Sequence, residues 1–162
     1  LSLHDALPIY FLYGLSKMTF SGKTVGYIEK NSFDWNGSAP ESVDIDAEQV
    51  PDAPVLSLAQ KNGTIAPKFS MIQLNYENLA AMLGGTATST GWKAPTSLLQ
   101  LSGECIIDTP SGKRIKIANA VLLSNLEGKL SLTEVSKIAC QLKVLKPADG
   151  SAPYEICDIS AG

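Results

Sequence analysis

The sequence predicts a mainly β domain, an antiparallel β-sandwich or barrel with one short flanking α-helix at about residues 75–84. Three observations predict it. Short runs of alternating apolar and polar residues recur along the chain, turn residues separate them at close intervals, and one capped apolar stripe of helical spacing interrupts the series. The 13 Gly and 9 Pro supply the turns.

Lys17 to Phe20 and Thr24 to Glu29 flank Ser21-Gly22-Lys23, which reads as a hairpin. Ser32 to Trp35 is a second candidate strand, ended by Asn36-Gly37. Ser42 to Gln49 alternates, with Val43, Ile45 and Ala47 on one face and Asp44, Asp46 and Glu48 on the other, before Pro51 and Pro54 break the pattern. Val55 to Gln60 and Thr64 to Leu74 flank Lys61-Asn62-Gly63, and Asn-Gly is the strongest short hairpin signal because a type I′ turn needs two positive φ angles. Pro67 makes the second of these strands an edge or a bulge.

The helix follows. Asn75 is a suitable N-cap, Glu77 lies where the helix dipole favours an acid, and Leu74 and Leu79 take the staple positions. Tyr76, Leu79, Ala80 and Leu83 keep one apolar stripe, and Gly84-Gly85 stops it. Thr86 to Pro95 is a small polar loop in which Trp92 either folds back or anchors an interface. Ser97 to Asp108 and Arg114 to Leu123 alternate around the turn Thr109-Pro110-Ser111-Gly112. After the turn Glu127-Gly128-Lys129, Thr133 to Lys146 and Tyr154 to Ile159 complete the strands.

Composition excludes several function classes. The net charge of −3 does not suit a dedicated nucleic-acid binder, and no apolar run approaches a membrane span, so no membrane insertion is expected. Leu1 to Ile9 resembles translated sequencing-adaptor read-through, with a signal peptide as the alternative. Residues 1–12 are therefore read as a non-native or disordered extension and 13–162 as one β domain. On that reading His4, the one histidine, is foreign, and the loss of Asp5 brings the charge from −3 to −2.

No motif carries catalytic chemistry. Gly22-Lys23-Thr24 mimics the end of a phosphate loop, but Lys17 stands where that loop needs Gly. Asp44-x-Asp46-x-Glu48 starts like a calcium loop, yet Gln49 and Val55 replace its Gly and its closing Glu. Cys105, Cys140 and Cys157 form no Cys-x-x-Cys and lack a native imidazole base, and Cys105 and Cys140 fall on apolar strand faces. The expectation is a non-enzyme with no cofactor and no metal.

From Tyr13 to Ile159 the chain resembles the major tail proteins, or tail-tube subunits, of siphovirus-type bacteriophages. The resemblance rests on YGLSKMTFSGKTVGYI (Tyr13 to Ile28), ESVDIDAEQV (Glu41 to Val50), KNGTIAPKFSMIQLNYENLAAMLGG (Lys61 to Gly85), SGKRIKIANAVLL (Ser111 to Leu123) and LKPADGSAPYEI (Leu145 to Ile156), in that order. It implies a tail-tube-like β domain with a flanking helix, a structural virion protein made in the host bacterial cytoplasm and placed in the virion tail. Its copies would form hexameric rings, stack them into a hollow tube and let DNA pass without specific binding. The tape measure and the tail terminator would be its other partners. A basic lumen would hold the DNA, so Asp44, Asp46 and Glu48 are the candidate lumen-facing row, with an outer solvated strand face as the alternative. Thr86, Ser89, Trp92 and Lys93 are the candidate inter-subunit loop. The alternatives are a β-sandwich binding or adhesion module and a secretion-tube-like ring protein.

Overall fold

A computed structural model describes residues 11–159; the expectation for the first nine residues lies outside that range. The elements run β1 (Lys17–Phe20), β2 (Lys23–Thr24), β3 (Glu41–Ile45), β4 (Leu56–Lys61), β5 (Lys68–Met71), α1 (Tyr76–Leu83), β6 (Thr86–Ala87), β7 (Trp92–Lys93), β8 (Leu101–Asp108), β9 (Lys113–Glu127), β10 (Lys137–Val144) and β11 (Tyr154–Asp158). This is a mainly β fold with antiparallel sheets and a single short helix among the described residues.

The main sheet has the order β2-β1-β8-β9-β10-β5, with β11 also beside β9. Strand β9 is long enough to serve two neighbours on one edge: Lys113 to Ile117 pair with β11, and Ala120 to Glu127 pair with β10. Its other edge pairs with β8 across a bulge at Gly103/Cys105. Register then decides the core, because directly paired residues share a face. The ladder aligns Met18 with Ile107 and Ile115, and aligns Leu101, Leu122 and Leu142. Ile138 faces Met71 and Cys140 faces Phe69 in the same way. These side chains form the buried cluster.

The segment Val25 to Trp35 joins the two ends of this sheet. Val25 N–H donates to the Met18 carbonyl at 2.8 Å on one side. On the other, Glu29 N–H reaches the Ser70 carbonyl at 2.8 Å, and Asp34 and Lys68 exchange two backbone bonds of 2.8 Å. The sheet is thereby rolled towards a barrel. Val25, Ile28, Phe33 and Trp35 close over its inner face, where Phe33 meets Trp35 edge-on at 5.4 Å and stacks with Phe69 at 6.3 Å.

Helix α1 begins as its sequence dictates: the Asn75 side chain accepts from Asn78 N–H at 3.1 Å, a cap of about 1 kcal/mol. Gly84, at φ 80°, ends it. The stripe differs from the expected one, since Tyr76 is exposed whereas Met82 is buried beside Leu79 and Leu83. Met82 also offers its carbonyl to the Ser124 hydroxyl of β9, which fixes the helix on the inner face.

Other expectations are corrected. Asn62-Gly63 is not a hairpin turn: neither residue has positive φ, β4 pairs with β3, and β5 pairs with β10. The left-handed pair is Ser21-Gly22, at φ 52° and 81°, which turns β1 into β2. Ser32 to Trp35 makes only an isolated bridge at Asp34, because the chain turns at Lys30 and Asn31 and Ser32 meets β5 through its side chain, whose hydroxyl accepts from Ser70 N–H at 3.2 Å. Strands β8 and β10 start later than the alternation suggested, leaving Leu99 and Thr133 to Ser136 outside.

Candidate functional site

Three surface features are available for chemistry or recognition, and the first is the β3–β4 arm. At its base Ser38 and Thr64 exchange backbone hydrogen bonds of 2.8 and 3.1 Å. Beyond that pair, Val43 faces Leu58, Asp44 faces Ser57 and Ile45 faces Leu56. The arm is therefore amphipathic: Val43, Ile45, Leu56 and Leu58 share one side, and Ser42, Asp44, Ser57 and Ala59 share the other. A two-stranded hairpin has no second layer of its own, and every residue of both strands is exposed, including Val43 at 51% and Leu56 at 49%.

The candidate acidic row sits on this arm but does not run straight. The strand ends at Ile45, so only Asp44 keeps the strand alternation. Asp46 lies just past the strand, and Glu48 lies in a tight turn closed by Val50 N–H to the Ala47 carbonyl at 3.0 Å. Five acids (Glu41, Asp44, Asp46, Glu48, Asp52) against Lys61 give Glu41 to Lys61 a charge of −4, more than the −3 of the whole chain. The remainder of the protein carries +1.

The second feature is the candidate loop, which forms a small ribbon pairing Thr86 with Lys93 and Ala87 with Trp92. Thr86, Ser89 and Lys93 are exposed on it. Trp92 is half-buried, and its indole Nε1–H donates to the Gly84 carbonyl at 2.9 Å. The indole thus satisfies a helix-end carbonyl and ties the ribbon down. Gly85 is required beneath it, since a Cβ there would lie 2.2 Å from the Lys93 carbonyl oxygen.

The third feature, which sequence reasoning missed, is the outer face of the main sheet. Alternation places Lys17, Lys68, Arg114, Lys116, Lys137 and Lys143 on it, around Ile106, Val121 and Leu123. Arg114 Nε–H donates to Asp108 at 2.7 Å, and this hydrogen bond raises the guanidinium pKa above its ordinary value. Lys137 pairs with Glu29 at 3.2 Å. The other four cations have no carboxylate within ion-pair distance among the described residues. The signal was in the alternation, but the partner strands that bring these lysines onto one face are far apart in sequence.

The thiols are positioned for packing. Burial pushes Cys105 and Cys140 up to about 12 from an ordinary 9.0, with Glu104 adding to the effect at Cys105. Both stay protonated at neutral pH and inert, whereas Cys157 is half-exposed on β11. A native thiol titration is expected to show one fast group and two that react only on unfolding. Raised folded pKa values also mean that stability is unaffected by these thiols below pH 9 and falls as pH rises from 9 towards 12, because the unfolded chain releases their protons first. The urea midpoint measured across that interval checks the sign.

Among the described residues no group of three or more His, Cys, Asp or Glu is placed to hold a metal ion, and no helix is long and apolar enough to cross a membrane. No family model matches the chain, and no curated protein matches it.

Proposed function

We propose that the chain is a structural virion protein, a phage tail-tube subunit whose copies close into rings and stack into a tube that DNA traverses. The observation that carries this reading is the arm: a hairpin with an apolar side of four branched residues, all open to solvent, on a body that already has its own core. Such a side is costly to leave in water and marks a surface that another protein covers.

The surface area supports the same reading. The chain exposes 11242 Å², whereas a compact monomer of 17.2 kDa exposes roughly 7,800 Å². The thirteen residues outside the described range add at most about 2,000 Å² in any conformation. The remaining excess, roughly 1,400 Å², exceeds the ~800 Å² that one partner contributes to a standard interface. The tail-tube resemblance then supplies the kind of assembly, with the tape measure and tail terminator as further partners.

Negative-stain microscopy of the purified chain over rising concentration tests this. Rings or tubes with a central channel are the expected result. Monomers that persist at high concentration would refute self-assembly and favour a monomeric binding module.

A further inference from the structure

Of the asparagines in the chain, Asn36 and Asn62 are the two that precede a glycine. Both pairs are exposed and lie at the stem of the arm, beside the Ser38–Thr64 bridge. Asn-Gly is open to ring closure because no side chain shields the glycine nitrogen. Among the described residues neither the Gly37 nor the Gly63 N–H makes a hydrogen bond. Asp149-Gly150, which could close the same ring, is held: Gly150 N–H donates to the Pro147 carbonyl at 3.2 Å, and the Asp149 carboxylate accepts from Ser151 N–H at 2.9 Å.

The stem does not hold the two Asn-Gly pairs alike. Ser38–Thr64 and Glu41–Lys61 keep one antiparallel register, which sets Pro40 opposite Asn62. Proline has no N–H, so the Asn62 carbonyl lacks its ladder donor. With the Gly63 N–H also unbonded, the peptide plane between them is free to rotate. Asn36 is held instead. It is left-handed at φ 49°, its N–H donates to the Asp34 carboxylate at 2.9 Å, and the Trp35 carbonyl before it accepts from Ala66 at 3.1 Å. Charge favours the same choice: Lys61 directly precedes Asn62, whereas the Asp34 carboxylate lies close to the Gly37 nitrogen that would have to become an anion. The stem itself requires Gly63, since a Cβ there would lie 3.0 Å from the Ser38 carbonyl oxygen.

We infer that Asn62 is a site of spontaneous deamidation and backbone isomerisation, set at the base of the arm. The Gly63 nitrogen loses its proton to hydroxide and bonds to Asn62 Cγ. The Cγ–Nδ2 bond breaks, ammonia leaves after taking a proton from water, and a five-membered succinimide remains. Water then opens that ring at one of its two carbonyls, giving aspartate or isoaspartate, so an amide and water become an acid and ammonia. Either product takes the charge of Glu41 to residue 62 from −4 to −5. The isoaspartyl product also routes the main chain through Cβ. That adds an atom between the Ser38–Thr64 and Glu41–Lys61 pairs and breaks the register that joins arm to stem. Nothing in this chemistry depends on self-assembly.

The test is incubation of the full chain in mildly alkaline buffer, folded and in urea, followed by peptide mapping with fragmentation that separates aspartate from isoaspartate. In the folded chain Asn62 should convert at least about tenfold faster than Asn36, since a nucleophile held off its line of attack loses on the order of that much or more. The rate should rise with pH, and in urea the two sites should convert at similar rates. Pro40→Ala, an exposed change that returns the missing donor, should slow Asn62 several-fold in the folded chain. Amide exchange at Ser38 and Thr64 should quicken in the isoaspartyl form and stay unchanged in Asn62→Asp, which carries the charge alone.

A folded chain that keeps Asn62 while the urea-unfolded chain converts it overturns the inference, as does conversion of Asn36 at an equal rate. A gap between the sites that persists in urea, or a Pro40→Ala variant that converts at the original rate, overturns the role given to the stem. Unchanged amide exchange in the isoaspartyl form overturns the loss of register.

Discussion

A chain in which Glu41 to Lys61 is replaced by a two-residue Gly-Ser turn is expected to stay folded but to form no rings. The arm leaves the body through the Ser38–Thr64 pair, whose two backbone hydrogen bonds hold the stem together without it. Beyond that pair, the arm's strands bury nothing of the body and nothing of the body buries them. Removing the arm therefore takes away exposed apolar surface and a charge of −4 while the core stays intact. The thermal midpoint should move by no more than about 4 °C, the shift that roughly 1 kcal/mol produces in a domain of this size. Sedimentation velocity reads the other half of the result: a single monomer boundary at concentrations where the intact chain assembles. Rings from the shortened chain would show that the arm is not the assembly element.

The second large effect lies in the core. Leu142→Ala should destabilise the domain by about 3 kcal/mol, within the range for a fully buried leucine. Leu142 has no exposed surface, pairs with Leu122 across β9, and its own N–H donates to the Pro67 carbonyl at 2.8 Å. It stands between β9 and β5, so neither neighbour can collapse into the space without breaking its own pairing. Urea unfolding should show the loss in the midpoint with the slope unchanged. Leu56→Ala makes a useful contrast. That side chain is 49% exposed on the arm, and its loss should change monomer stability by no more than about 0.5 kcal/mol while weakening assembly. Equal destabilisation by the two substitutions would mean that the arm packs on the body in solution.

Local pattern located most elements, because each signal needs only a few neighbouring residues. The Asn75 cap, the Gly84 stop and the turn at Thr109 to Gly112 all formed where the sequence placed them. Alternation also placed Ile115 and Ile117 of β9 and Ile138, Cys140 and Leu142 of β10 inward, since a strand buried on one face repeats every second residue, but it did not show the change of parity past the bulge that turns Ala120 and Leu122 inward. Where two local signals competed, the sequence misled. Asn62-Gly63 has the composition of a type I′ turn. Val43 and Ile45 are nonetheless better partners for Leu58 and Leu56, so β4 turned back to β3, and β5 went to β10. The same trade placed Trp92: as a loop tryptophan it suited an interface or a return to the body, and the free carbonyl of Gly84 decided for the body.

For function, the sequence by itself determined a non-basic, mostly β chain with an acidic alternating segment and no catalytic motif. Its resemblance to tail-tube proteins added the role proposed above, an expectation that composition and spacing do not contain. Only the tertiary structure decided that the acidic segment belongs to an arm standing clear of the body, and that lysines from β1, β5, β9 and β10 meet on one open face. The physical reason is that burial and shared faces are properties of pairing between distant strands. A strand's own alternation says that it has two sides, and the register of its partners says which side is covered.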